Sequence, residues 1–364
     1  MLKKAIIIMM LLSLILVIGC DRGGVNNLAV AREELQERAY SKVEIRLERL
    51  VGKQPQNAEA QCLLAAAYNR QSKTQKLEAT VGKIRELGKP AIEKTVDIMR
   101  HEQNLAEDMA KVLILVGEPA TGALVPLLGD TTEYVRENAV QILTKIGAPA
   151  TGRLKEALDS PDAVIKSGAA RVLGNIGDKT AIQLLVKKLD DTNSLVRVES
   201  AIALYKLGDK SHVDAINKGL SADIVSAKRS AAIAIRDIVE NPAADPLLKA
   251  SKDNDVQVRS AVIRALGKVK DERAIIPLIE AIKAKDSDIR NAAADSLKEI
   301  GELATMPLVN LIKQEQDIAT LQKAIQTLGD IGDKRAVDTL EKIYAESKQS
   351  LVKQEAAIAL NKIE

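Results

Sequence analysis

The stretch from Ile289 to Gly301, IRNAAADSLKEIG, carries the pattern that decides the fold. Counted from its basic residue Arg290, a small residue stands three positions later, aliphatic residues stand at seven and ten, and glycine stands at eleven. Offsets of three, seven and ten place side chains on one stripe of an α-helix, and glycine suits the left-handed residue that ends such a helix. The phrase recurs at Val135–Gly147, Ile165–Gly177 and Val196–Gly208, with more divergent copies at 227–239, 258–270 and 320–332.

The closing positions of these phrases are evenly spaced along the chain. They fall at residues 88, 117, 147, 177, 208, 239, 270, 301, 332 and 364, which are 29 to 32 residues apart. A period held so closely indicates a repeat array. We therefore predict an all-α fold, a right-handed α-solenoid of helix pairs with a period of about 30 residues. The small residues expected to be buried between neighbouring layers are Ala139, Ala169, Ser200, Ala231, Ala324 and Ala356.

The composition agrees with thin layers better than with one compact core. The chain has 364 residues, 46% of them hydrophobic, but it contains no Trp, no Phe and only 5 Tyr. A single core of this size would normally use aromatic side chains, because each buries a large area. The formal net charge is +3, and it falls to +1 if Lys3 and Lys4 leave with a leader. So balanced a charge argues against nucleic-acid binding, which needs a phosphate-neutralising surface.

The N-terminus has the order of a secretory signal. Lys3 and Lys4 precede an apolar run, which ends at Gly19 and Cys20. The sequence Val-Ile-Gly-Cys at 17–20 resembles the bacterial lipobox, and this resemblance implies that Cys20 is acylated and becomes the mature N-terminus. The predicted segments are a signal peptide at 1–19 and a lipidated tether at 20–27. An ordinary signal with a chance cysteine, or an uncleaved anchor, is the alternative.

Residues 28–90 are predicted to form antiparallel helices before the array. Within them, the stretch Pro55–Pro90 resembles a tetratricopeptide unit, although Gln61 replaces the usual tryptophan and Leu77 the usual alanine. The first helix of the unit would contain Leu64, Ala65 and Tyr68, and the second Leu77, Val81 and Ile84. One such pair cannot bury both of its faces, so we expect it to pack on the next repeats of the chain.

From residue 77 to residue 364 the repeats resemble the short HEAT-like class, seen in phycobilin lyases and in many bacterial scaffold proteins. The units use two kinds of turn. Gly-x-Pro-Ala turns stand at Gly88–Ala91, Gly117–Ala120 and Gly147–Ala150, and Gly-Asp-Lys turns begin at Gly177, Gly208 and Gly332. Proline suits the first position of a helix, but Pro126 falls later and is expected to kink its helix.

A column of basic residues opens the second helix of most repeats, and acidic residues precede it in the turn. The column consists of Arg136, Lys166, Arg197, Lys228, Arg259, Arg290 and Lys353. It could be a binding stripe. The HEAT-like resemblance favours a structural ladder instead, in which Asp side chains pair with Arg side chains between layers.

The sequence offers little for catalysis or metal binding. His101 and His212 are far apart in the array, and neither has a cysteine or a second histidine at ligand spacing. The deoxyhypusine hydroxylases are HEAT-like enzymes that use several His-Glu pairs for iron, whereas this chain has one, His101-Glu102. Cys62 lies in an apolar stretch and is predicted to be a buried structural thiol. We expect no catalytic residues, no metal, no cofactor and no small-molecule substrate.

The surface of the second helices, which lines the concave side in this architecture, is the predicted binding site. Positions five, eight and nine after the basic residue should face outward. The predicted contact residues for a protein or peptide partner are Arg171, Ile202, Tyr205, Ile233, Arg236 and Arg264. Aromatic, aliphatic and arginine side chains together are typical of interface centres. If the register is off by one, these residues belong to the core instead.

These features predict a protein-binding scaffold, tethered by lipid on the extracytoplasmic side of the bacterial envelope. The membrane, inner or outer, stays open, because Asp21 resembles an inner-membrane retention signal only by the enterobacterial rule. The alternative is a lyase-like enzyme or cofactor chaperone, as the resemblance to phycobilin lyases implies. The export signal argues against that alternative, since those lyases act on cytoplasmic proteins.

Overall fold

The computed structural model describes residues 23–238 and 244–363. All regular structure in these two ranges is helical, and neither contains a β-strand. The helices pack in sequential pairs, so the predicted all-α class of an α-solenoid is confirmed. Cys20, Val239 and Glu364 lie outside the described residues.

The chain divides into two compact units, and the N-terminal unit ends at Ile176. Its α-helices are α1 (Gly23–Gln36), α2 (Tyr40–Lys53), α3 (Ala58–Arg70), α4 (Thr74–Leu87), α5 (Lys89–His101), α6 (Ala106–Val116), α7 (Thr121–Leu124), α8 (Glu133–Ile146), α9 (Thr151–Ala157) and α10 (Ala163–Ile176). Short 3₁₀ helices occupy Glu118–Ala120, Val125–Gly129 and Ala148–Ala150.

The C-terminal unit begins at Gly177. Its α-helices are α11 (Ile182–Lys187), α12 (Ser194–Lys206), α13 (Val213–Gly219), α14 (Val225–Asp237), α15 (Ala244–Ala250), α16 (Val256–Val269), α17 (Ile275–Ile282), α18 (Ser287–Ile300), α19 (Thr305–Gln314), α20 (Ile318–Ile331), α21 (Val337–Glu346) and α22 (Ser350–Ile363). Its 3₁₀ helices are Lys179–Ala181, Lys188–Asp190, Glu272–Ala274, Gly301–Ala304 and Lys334–Ala336.

Helix α3 is the centre of the N-terminal helices. Every residue from Ala60 to Tyr68 is buried, because α3 contacts α1, α2, α4, α5 and α6. The Asn57 side chain caps its start by accepting a hydrogen bond from the Ala60 amide at 3.0 Å. The Tyr68 hydroxyl donates to Glu48 at 2.7 Å. The pair α3–α4 therefore packs on the next pair, α5–α6, as expected, whereas the tetratricopeptide resemblance stays a prediction.

Helix α1 begins earlier than the sequence suggests. It starts at Gly23, so residues 23–27, which we assigned to the tether, are helical. Glycine costs little in a first turn, where the backbone N–H groups have no partner within the helix in any case. The Asn27 side chain also accepts a hydrogen bond from Arg46 of α2 at 3.2 Å, which holds the start of α1 against its neighbour.

The turns between repeats have the predicted glycine conformations. Gly88 and Gly332, for example, have φ values of +68° and +76°, which a side chain would disfavour. In the Gly-Asp-Lys turns at Gly177 and Gly332 the aspartate caps the next 3₁₀ helix, as Asp178 does by accepting from the Thr180 amide at 3.0 Å. Lys270 stands where other repeats have glycine and adopts the left-handed conformation itself, with φ +56° and ψ +31°.

Pro126 interrupts its helix as predicted. The α-helical part, α7, ends at Leu124, and a 3₁₀ helix continues from Val125 to Gly129. Proline has no N–H to donate and its ring clashes with the preceding turn, so the regular α-helix cannot pass through this position.

Consecutive second helices approach each other closely. All six small residues predicted at layer contacts have no exposed surface. Two glycines show how close the approach is: a Cβ atom on Gly267 would lie 2.7 Å from Ser296 Cα, and one on Gly329 would lie 2.7 Å from Ala359 Cα. These obstacles are backbone atoms, so a rotamer change cannot relieve them.

We predict that Gly329→Ala lowers the free energy of unfolding by roughly 1–3 kcal/mol, because α20 and α22 would have to separate. The matched control is Gly82→Ala in α4, where an added Cβ would meet nothing within 4 Å. That change should be neutral or stabilise by up to about 1 kcal/mol, since alanine is the better helix former. Urea denaturation of both variants measures this, and equal effects would contradict the close approach.

Candidate protein-binding surface

Three of the predicted contact residues are accessible on the second helices of the C-terminal unit. Ile233 on α14 is 45% exposed, and the Arg236 and Arg264 side chains are 39% and 43% exposed. Ile233, Arg236 and Arg264 therefore stand at accessible positions, whereas position eight on α16 is the buried Gly267; their part in binding stays a prediction. Tyr205 on α12 is partly buried, and Lys210 Nζ lies 5.8 Å from its ring centroid.

The predicted exposure of Ile202 is wrong. This side chain is 9% exposed and belongs to the apolar cluster that also contains Val198 and Ala201. The reason lies in α12, where nearly every side chain from Val196 to Leu204 is buried, so the helix has no wide polar face at this position. Ile202 therefore packs in the core and is not available as a contact residue.

Arg171 belongs to a different unit from the other predicted contacts, because it lies on α10 in the N-terminal unit. Its guanidinium donates two hydrogen bonds to the Glu137 carboxylate on α8, at 2.6 and 3.0 Å. Such a bidentate pair uses the fork geometry with which arginine would otherwise bind a ligand carboxylate. Arg171 therefore connects two neighbouring second helices.

The structure brings Arg236 and Arg264 together in one recess, which we call the basic recess. It is lined by Arg236, Arg264, Lys268, Asp295, Ser296, Lys298 and Glu299, and its volume is about 560 Å³. Three consecutive second helices, α14, α16 and α18, contribute these residues. Lys268 Nζ lies 2.9 Å from Glu299, and Arg264 Nη1 lies 3.8 Å from Asp295. Lys268 and Lys298 were not among the predicted contacts, although they stand at outward-facing positions, nine after Arg259 and eight after Arg290.

The basic column at the helix starts is structural, but its contacts differ from those predicted. The Nη1 atoms of the arginines donate to two main-chain carbonyls in the turn between first and second helix, not to Asp side chains of another layer. Arg290, for example, donates to Ala284 and Lys285 at 2.6 and 2.7 Å. Arg136, Arg197 and Arg259 make the same pair of contacts at 2.6–3.0 Å.

These contacts hold the turn that follows each first helix, because main-chain carbonyls that are shielded from water need a hydrogen-bond donor. Lys228 departs from the pattern and pairs with the Asp253 carboxylate at 2.7 Å, which lowers the pKa of Asp253. The predicted ion pair between neighbouring layers therefore occurs at Lys228. The four arginines instead bind main-chain carbonyls of the turn that precedes their own helix. None of these groups resembles a free binding stripe.

The remaining reactive side chains have structural neighbours. Cys62 is buried, with its Sγ atom 3.1 Å from Thr95 Oγ1, and burial raises the pKa of the thiol to about 11. Glu102, of the single His-Glu pair, accepts two hydrogen bonds from Arg32, at 2.9 and 2.8 Å. Across residues 23–238 and 244–363, no three His, Cys, Asp or Glu side chains are placed to hold a metal ion.

The predicted lipidation residue, Cys20, lies outside the described residues. In the part of the chain that the structure describes, no single helix is long and apolar enough to cross a membrane. One bent pair, Ala106–Val116 with Glu118–Gly129, reaches that length and hydropathy together, with 119° between its halves.

Several solved structures have detectable similarity to this chain. Three similar solved structures are an engineered protein, human deoxyhypusine hydroxylase in complex with glycerol, and the complex of CpcE and CpcF of phycocyanin lyase from Nostoc sp.. Their sequences are 21%, 21% and 20% identical, and their TM-scores are 0.42, 0.30 and 0.36. The alignments cover 88%, 68% and 59% of this chain, and 98%, 96% and 94% of those chains. Similarity at this level assigns no activity.

No curated protein matches the chain. A family model described as HEAT repeats matches residues 151–236, 225–298, 243–317 and 302–361. These overlapping matches span more than half of the 364 residues. The chain therefore belongs to the HEAT-repeat family.

Proposed function

We propose that this protein is a scaffold, tethered to a membrane of the bacterial envelope, which holds a protein or peptide partner on second helices of its C-terminal unit. The observation that carries the proposal is the basic recess beside exposed Ile233. Accessible arginine and aliphatic side chains in one place are the composition of an interface centre. Most other arginines that open or connect second helices donate to a carbonyl or a carboxylate, as Arg290 and Arg171 do.

The tether is proposed from the lipobox resemblance. Cys20 precedes the first residue of α1, Gly23, by three positions. Three extended residues span at most about 11 Å, so a lipid on Cys20 would hold the first helices close to the bilayer surface.

The scaffold function is tested by Tyr205→Ala combined with Arg236→Glu. We expect the double variant to capture less partner from detergent-solubilised membranes, with an almost unchanged melting temperature, because neither side chain is fully buried. Truncation of a hot-spot tyrosine alone can cost about 2 kcal/mol of binding free energy. Affinity purification followed by quantitative mass spectrometry measures the capture.

The matched control for this test is Tyr344→Ala with Arg49→Glu. Tyr344 on α21 is 53% exposed and Arg49 on α2 is exposed, and both lie away from the recess in sequence. Equal capture by both double variants would contradict the proposal. Bilin pigment retained by the purified protein would favour the lyase-like alternative instead.

The tether is tested separately by Cys20→Ser. Cells supplied with an alkyne fatty acid should label the wild-type protein and not the variant, and the variant should leave the membrane fraction. A single acyl chain binds membranes only weakly, so stable anchoring requires several chains. Equal labelling of both proteins would overturn the lipid tether without affecting the proposed binding surface.

A further inference from the structure

We infer that the partner segment is acidic: its carboxylate side chains enter the basic recess, while aliphatic side chains of the same segment lie on Ile233. The inference rests on the proposed function, because it names the chemistry of the partner at the same surface. Four observations support it: the charge of the lining, the free donors of its arginines, the exposed isoleucine beside them and the size of the recess.

The lining of the basic recess is positively charged. Arg236, Arg264, Lys268 and Lys298 face two carboxylates, Asp295 and Glu299. The lining therefore holds an excess of two positive charges, or of one when Asp237 beside Arg236 is counted, whereas the whole chain of 364 residues carries only +3. A local excess of this kind attracts an acidic partner and repels a basic one.

The two arginines of the recess retain hydrogen-bond donors for a ligand. Among the described residues, the nearest carboxylate oxygen paired with Arg264 is 3.8 Å away, which is beyond hydrogen-bond distance. Arg236 donates through Nε to its neighbour Asp237 at 3.0 Å, and its terminal nitrogens have no acceptor within residues 23–238 and 244–363. A guanidinium binds a carboxylate through two parallel N–H groups, so each of these arginines can bind one carboxylate of a partner.

Exposed Ile233 makes the surface suitable for a protein segment. It precedes Arg236 by one helical turn on α14, and its equivalent in the next repeat, on α16, is Arg264. Because α14 packs against α16, residues at equivalent positions lie side by side. The isoleucine and the two guanidiniums therefore form one continuous patch, on which a segment with both acidic and aliphatic side chains can make both kinds of contact.

The recess fits carboxylates better than phosphates. Asp295 and Glu299 stand among its cations, and they repel a phosphate more strongly than a singly charged carboxylate. A phosphate backbone would also gain nothing from Ile233. With a volume of about 560 Å³, the recess has room for a few side chains and not for a folded domain. These features favour a short acidic protein segment over a nucleic acid.

The test uses the full chain in detergent and a fluorescent ten-residue peptide of alternating Glu and Leu, capped at both ends. An isosteric peptide of alternating Gln and Leu is the ligand control. Fluorescence anisotropy should show binding of the acidic peptide that weakens as salt is added, since exposed charges are screened over about 10 Å at 0.1 M salt. The neutral peptide should bind at least about tenfold more weakly, which corresponds to roughly 1.4 kcal/mol.

The variant for this test is Arg236→Gln with Arg264→Gln, which should lower the affinity for the acidic peptide by about tenfold or more. The matched control, Arg49→Gln with Arg153→Gln, removes two arginines that are exposed and have no ion pair within the described residues. It should bind like the wild type. Circular dichroism melts of both double variants verify that the fold is intact.

The outcomes separate this inference from the proposed function. Equal affinity for the two peptides, or undiminished binding by the recess variant, contradicts the inference that the partner segment is acidic. Displacement of the peptide by inorganic phosphate or a single-stranded oligonucleotide at lower concentration than by excess unlabelled peptide also overturns it. If envelope proteins are captured through Tyr205 and Arg236 but the acidic peptide does not bind, the scaffold function is supported and the inference that the partner segment is acidic is contradicted. If the peptide binds but no envelope protein is captured, binding of acidic segments by the recess is supported and the scaffold function is contradicted.

Discussion

The close approach of neighbouring second helices is the constraint on which the structure depends. At Gly267 and Gly329 the adjacent helix is so near that even a Cβ atom would meet backbone, at 2.7 Å in both places. Small side chains therefore fill the space that aromatic side chains fill in a compact core, which explains how the chain folds without Phe or Trp. The same spacing brings equivalent surface positions side by side, and this turns single side chains into continuous patches such as the one formed by Ile233, Arg236 and Arg264.

The contacts of each arginine decide which parts of the surface are available. Arg290 and its equivalents hold the carbonyls of their own turns, and Arg171 holds Glu137. Arg236 and Arg264 lack such strong partners among the described residues, so their guanidiniums are the ones suited to bind something else. The repeated contacts thus give most of these arginines a partner within the protein. The arginines that depart from this pattern, Arg236 and Arg264, identify the candidate site.

The period, the small residues at layer contacts and the glycine turns could be predicted, because each is a local pattern with one physical meaning. The contacts of Arg290 could not be predicted, because its acceptors are main-chain carbonyls, which every residue type has. Ile202 was wrongly predicted to be exposed, because the fifth position after the basic residue is exposed on α14 and α16 but buried on α12. Lys268 and Lys298 stand at outward-facing positions of their repeats, nine after Arg259 and eight after Arg290, but the pattern within one helix does not show that they join Arg236 and Arg264 in a recess built by three helices.

The central claim, that a partner binds on α14 and α16, is tested most directly by photo-crosslinking in living cells. A photoreactive amino acid would replace Ile233 in one strain and Ile276 in another; Ile276 on α17 is more exposed, at 73% against 45%. The account predicts a discrete, membrane-associated adduct from position 233 and none from position 276. Adducts from position 276 alone, or from neither position while the protein is folded and membrane-bound, would contradict it.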